Sequence, residues 1–217
     1  MDQLSLASQR AGAGATVRVT GTGMLMAAPT EARITVGVRS VQPSAQAAQA
    51  AATDVIRRVA QAIQALGVPP QQLQSTSVVL VPETRTDPTT NEVRTVGFRA
   101  EQTLAVTTSD LAQVGPIIDA AVAAGANVVE NISFSVREPN QLQLVAIALA
   151  SRDAQARALV LAQQFGLTLT GVRQVSTTVA TPPIPLFAVQ FAATPIFPGQ
   201  QTIQASVDAE YTAAPRF

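Results

Sequence analysis

Apolar and polar residues alternate along Glu31–Val41, with Ile34 and Val36 on one side and Arg33 and Thr35 on the other. A period of two marks a half-buried strand. The period then lengthens. Ala48, Ala52, Val55, Val59, Ile63 and Leu66 recur at steps of three and four, one apolar stripe on a helix opened by Ser44 and closed by Gly67. Further strands are predicted over Thr16–Gly21, Leu73–Val81, Glu92–Thr107, Asn127–Arg137, Leu167–Ala180 and Gln201–Ala213. Two more helices are predicted: one from the Ser109-Asp110 cap to Gly125, the other from Pro139-Asn140 to Phe165, closed by Gly166. Pro116 should kink the first of these or split off its first turn. Turns are expected at residues 22–24 and 28–30, at Pro82, and across the polar stretch Glu83–Asn91.

The order strand–helix–strand–strand occurs twice. Ile34–Arg39 aligns with Ile132–Arg137, each passing through Pro into a helix ended by Gly, and Arg39/Arg137 and Gly67/Gly166 recur at nearly equal offsets. This argues for a duplicated unit. The fold class is therefore α+β, with mainly antiparallel sheets and long helices on one face. The expected organisation is a flexible arm over residues 1–15, a first β-α-β-β unit over 16–107 and a second over 108–213, then a tail at 214–217. The second unit adds an extra helix (108–125) and a Pro/Phe-rich loop (181–199). Periodicity leaves open whether the strands form one sheet or two.

Composition narrows the chemistry. The 217 residues contain no Cys, His, Trp or Lys. That removes thiol and imidazole catalysis, Schiff bases, a Walker lysine and thiolate metal sites. The 14 basic residues, all Arg, balance 14 acids, so no basic field attracts nucleic acid or an anionic membrane. Charged residues are 13% of the chain, about half the usual ~25%. A surface covered by further copies of the chain would account for this, and so would codon bias. Lack of Cys suits an oxidising compartment, though many cytosolic proteins share it. No stretch reaches the ~20 apolar residues of a membrane helix. Nor does the start of this sequence resemble a signal peptide, which fits either a cytosolic chain or one whose leader has been removed.

The remaining candidates are weak. Gly21-Thr22-Gly23 lacks the third Gly and the following helix of a nucleotide loop, and is expected to be a strand-end turn. Asn131-Ile132-Ser133 fits a glycosylation sequon, but mid-strand. Glu83, Asp87 and Glu92 surround one loop without calcium-loop spacing. Nothing in the spacing brings Glu101, Glu130 and Glu138 together as a hydrolase pair, and Tyr211 is the single Tyr. No catalytic residue, metal or cofactor is expected. The unusual stretch is Thr181–Gly199, with five prolines and Phe187, Phe191 and Phe197. Such an apolar, stiffened loop must cover something: its own sheet, or another subunit. Phe187, Phe191, Pro195, Ile196 and Phe197 are the candidate oligomer interface.

The chain resembles the SIMPL-domain family of mostly bacterial extracytoplasmic proteins, which includes oxidative-stress defence proteins and periplasmic immunogenic antigens. The resemblance is carried by Val19–Gly23, Pro29, Val36-Gly37-Val38, Ala65–Val68, Val96–Ala100, Ile117–Ala121, Ala124–Asn127, Ile132–Val136, Leu161-Ala162, Gly166-Leu167, Thr194–Ile196 and Pro198-Gly199. It departs at Pro29-Thr30, where the family usually has Pro-Asp, and at Gly97-Phe98, where it has Gly-Tyr. The resemblance implies an α+β fold with an internal repeat, export from the cytoplasm, and a ring- or channel-like homo-oligomer. The expected function is non-enzymatic self-assembly in envelope or oxidative-stress protection, with itself as partner, no nucleic acid, no transmembrane segment, and a contact with the envelope or membrane surface. The alternatives are a module binding a small apolar ligand and, third, a carboxylate hydrolase.

Overall fold

Seven strands pair in two separate antiparallel sheets. The computed structural model describes residues 15–88, 91–180 and 199–216. The strands are β1 (Ala15–Ala27), β2 (Glu31–Gln42), β3 (Leu73–Thr86), β4 (Val93–Thr108), β5 (Val128–Ser135), β6 (Leu167–Ala180) and β7 (Gln201–Pro215). The helices are α1 (Ala45–Ala65), α2 (Val114–Ala123) and α3 (Pro139–Gln164). The chain forms two compact units.

One unit, whose described strands and helices lie within residues 28–137, orders its sheet β3-β4-β2-β5. Ile34 sits opposite Val106, and Val36 opposite Leu104. These even-numbered positions meet Val59 and Ile63 of α1 and Val114 and Ile117 of α2, all fully or almost fully buried. Each such side chain contributes about 1.5–3 kcal/mol of burial free energy. The stripe read from the sequence is the one buried on α1, through Ala48, Ala52, Val59 and Ile63. Its ends follow backbone chemistry. Ser44 Oγ accepts from the Ala47 amide at 3.2 Å, and Gly67 takes φ +90°, a conformation costly for any side chain. Asp110 caps a short 3-10 turn at Leu111–Gln113, which places Pro116 in the first turn of α2, where a missing N–H costs nothing.

The discontinuous unit, residues 15–27, 138–180 and 200–216, orders its sheet β1-β7-β6 under α3. The α3 face against the sheet is a row of alanines, Ala146, Ala150, Ala154, Ala158 and Ala162. It packs on Val17, Val19, Ile203, Ala205, Val207 and Ala209.

Four expectations are corrected. The division at residue 107 does not hold, because β1 pairs along its length with β7, while α2 and β5 belong with the first-half strands. Ile34 and Ile132, aligned above as repeat equivalents, are cross-strand neighbours in one sheet. The shared pattern is instead topological: β2-α1-β3-β4 and β1-α3-β6-β7 give the same strand order, β3-β4-β2 and β6-β7-β1. Finally, Gly21–Gly23 is not a turn, and β3 does not stop at Pro82. The glycines are strand positions where α3 comes close, and Pro82 is tolerated because β3 is an edge strand.

Candidate functional site

Among the described residues four strands form sheet edges, and three carry a device that discourages further pairing. On β1 the outward Thr22 amide donates to Asp153 Oδ2 of α3 at 2.8 Å. That amide, and after it Arg157 at 2.9 Å, holds the Asp153 carboxyl below the ordinary aspartate range. β5 is short, and a register irregularity interrupts its pairing with β2 at Thr35/Val36. Beyond its end, Asn127 takes over the pairing: its Oδ1 accepts from the Arg39 amide at 2.7 Å and its Nδ2 donates to the Arg39 carbonyl at 2.9 Å. β3 has register shifts at Ser75/Ser77 and Glu83/Thr84, the imino residue Pro82, and the charged pair of positions Glu83 and Arg85. Bulges, prolines and charges are the usual guards of exposed edges.

β6 differs. Its shifts lie only in its first half, at Leu169/Gly171 and Val172/Gln174. From Gln174 to Ala180 it pairs regularly with β7 on one side and with no described strand on the other. Val172 and Val175 are 61% and 57% exposed. α3 also exposes apolar side chains among its polar ones, Leu144, Val145, Leu159 and Val160, and Phe165 just past its end is 75% exposed.

On the sheet face away from α3, Glu210 of β7 is buried between two guanidiniums. Arg18 Nε donates to its Oε2 at 2.8 Å. Arg173 Nη1 lies 3.0 Å from Oε1 in an ion pair, but off the angle of a hydrogen bond, so that oxygen has charge compensation without a donor. Thr20 Oγ1 donates to Asp208 Oδ1 at 2.6 Å beside it. Arg18, Thr20, Asp208 and Glu210, with Gln174 and Ser176, line an open cleft of about 420 Å³. The irregularity at Val172/Gln174 falls at Arg173, and such bulges re-aim side chains.

The acids singled out from the sequence are dispersed. Glu83 pairs with Arg99 at 3.4 Å and Glu92 with Arg94 at 2.8 Å. Glu101 accepts from Arg39 at 2.9 Å, which lowers the carboxyl's pKa and raises the guanidinium's. Asp87 shares backbone hydrogen bonds with Glu92 and Asn91 across the β3–β4 turn. Glu130 and Asn131 lie on β5, Glu138 precedes α3 without capping it through its side chain, and Tyr211 packs beside the alanine row. Among the described residues no three acids gather as a metal site, and no helix is long and apolar enough to cross a membrane. The candidate interface residues Phe187, Phe191, Pro195, Ile196 and Phe197 lie outside the described residues, as do all residues of the expected arm over 1–15 except Ala15, which begins β1. Sequence reading missed Asp153, Arg173 and the open half of β6. The first two are single polar residues with no motif. The third was visible only as Val175–Ala180, a run without charge or Pro.

Two kinds of relative match this chain. "Uncharacterized protein YggE" of Edwardsiella ictaluri is 30% identical over 165 residues, covering 75% of this chain and 67% of that protein. The "26 kDa periplasmic immunogenic protein" of Brucella melitensis, and the protein of that name from Brucella abortus, are each 28% identical over 175 residues, covering 79% of this chain and 70% of theirs. Residues 17–211 match the SIMPL family, described as a protein of unknown function (DUF541), and together with the fold this establishes that the chain belongs to it.

Proposed function

We propose that this SIMPL protein works outside the cytoplasm as a non-enzymatic, self-assembling component of the cell envelope. The observation that carries the reading is apolar surface left uncovered, Leu159 and Val160 on α3, Phe165 just past its end, and Val172 and Val175 on β6, a strand whose outer edge meets no described strand. Exposed apolar patches of this kind mark association surfaces, and the low charge density leaves little repulsion between copies. The periplasmic relatives support an extracytoplasmic location. A ring- or channel-like homo-oligomer acting in envelope integrity or oxidative-stress protection is the finer form of this proposal. Mass photometry at micromolar concentration tests it: discrete multiples of the 22.5 kDa chain are expected, and a monomer at every concentration refutes it.

A second reading is favoured by an open cleft beside α3, lined by Val19, Ala156, Val160 and Leu161. There the protein would take a small apolar ligand. Saturable binding of a hydrophobic dye, abolished by Val160→Asp, would identify it.

A further inference from the structure

We propose that Gln174–Ala180 is a self-pairing edge: two copies join their β6 strands antiparallel about a two-fold axis at Thr177, merging two three-stranded sheets into one. This rests on the self-association reading above and specifies the surface that carries it.

A strand with one neighbour turns half of its N–H and C=O groups outward. Along Gln174–Ala180 those groups meet no described strand, and no described helix or side chain plugs them as Asp153 plugs β1. The stretch Gln-Val-Ser-Thr-Thr-Val-Ala contains no charge, Pro or Gly. Its Val and Thr residues are β-branched, the type that packs well on a pleated surface. Nothing in it opposes a new partner.

Symmetry then selects the partner and the register. A two-fold axis normal to the sheet keeps each face on its own side, so residues brought opposite each other must share parity. Centring on Thr177 places Val175 opposite Val179, Ser176 opposite Thr178, and Gln174 opposite Ala180. At the centre apolar meets apolar and hydroxyl meets hydroxyl, and at the ends the neutral Gln174 meets the small Ala180. Arg173, the charge next to the stretch on β6, lies outside the pairing and is engaged with Glu210, and the acids Asp208 and Glu210 sit one strand further in, on β7. The segment is therefore complementary to itself. Pairing would add about seven main-chain hydrogen bonds. The competing edge is Ser77–Val81 on β3, which is more apolar but confined between two irregularities and followed by Pro82.

The chain lacks cysteine, so single cysteines can be placed without background. Residues directly opposite in antiparallel strands have Cα atoms about 4.5–5.5 Å apart, within the 4.4–6.8 Å span of about that size that a disulfide bridges. Thr177→Cys, oxidised with copper phenanthroline, should give disulfide dimer in large excess over Thr168→Cys and Val79→Cys. Val175→Lys with Val179→Lys places like charges opposite each other and should weaken association about tenfold or more. Val175→Lys with Val179→Glu should restore it. Circular-dichroism melts confirm that each variant folds. Assemblies that survive the double lysine, or that cross-link through Val79→Cys and not Thr177→Cys, overturn this edge while leaving self-association standing. A chain that is monomeric throughout overturns both.

Discussion

The Thr22 amide and the Asp153 carboxylate, 2.8 Å apart, tie the outer rim of β1 to the middle of α3. The hydrogen bond serves two ends: it satisfies an edge donor, and it closes that edge to other strands. Because the bond favours the ionised acid, the pKa of Asp153 in the folded chain lies below its unfolded value of about 3.9. A depressed pKa means stabilisation that is complete above the unfolded value and is lost as pH falls through the folded one. Asp153→Asn should therefore melt below the parent at neutral pH, with the gap closing below about pH 4. Thermal melts across that range check the sign.

Gly21 and Gly23 should tolerate no side chain. A Cβ at Gly21 would lie 2.2 Å from Ala150 O, and one at Gly23 2.1 Å from Ala146 O, both main-chain atoms of α3. Either alanine forces the helix off the sheet, at a cost of about 3 kcal/mol or more. Gly115→Ala, where nothing lies within 4 Å, is the control and should be neutral or stabilising. Urea denaturation separates the two outcomes.

Glu210 is buried and its two partners are exposed, so the members of the cluster should be unequal. Glu210→Ala removes a charge-assisted hydrogen bond and its packing, and should cost about 1–3 kcal/mol. Arg18→Ala leaves Arg173 in place and removes a largely solvated side chain, for a loss below about 1 kcal/mol. Chemical unfolding of both variants gives the ranking.

Met24 and Met26 are 56% and 65% exposed. Peroxide should convert both to sulfoxides rapidly, with no loss of far-UV dichroism, because neither thioether is part of the core. Peptide mapping after brief exposure measures the extent, and a coincident loss of structure would count against their surface placement.

What could be read from the chain was local. Ser44, Gly67 and Gly166 ended helices where the sequence placed them, since capping depends on a few adjacent residues. The stripe on α1 and the bounds of β6 followed in the same way from periodicity. What misled was tertiary. Gly21 and Gly23 look like turn residues until the α3 alanines are seen against them. Pro82 looks like a strand end until β3 is known to be an edge. The pairing of β1 with β7 joins residues from opposite ends of the chain, and no short-range pattern encodes it. The guards of the other edges, Asp153 and Asn127, also act across long separations, so the one unguarded edge could not be recognised by itself.

The central strand of the β1-β7-β6 sheet follows both of its neighbours along the chain. β1 and β6 do not touch each other's ladders; each hangs on β7 alone. β1 must wait through more than 170 residues for its partner, from Ala27 to Gln201, whereas residues 28–137 contain every described strand of their own sheet and can close early. A chain interrupted before Gln201 would thus have the four-stranded sheet complete and no ladder for β1 or β6, which makes β7 the strand that commits its unit to the native form.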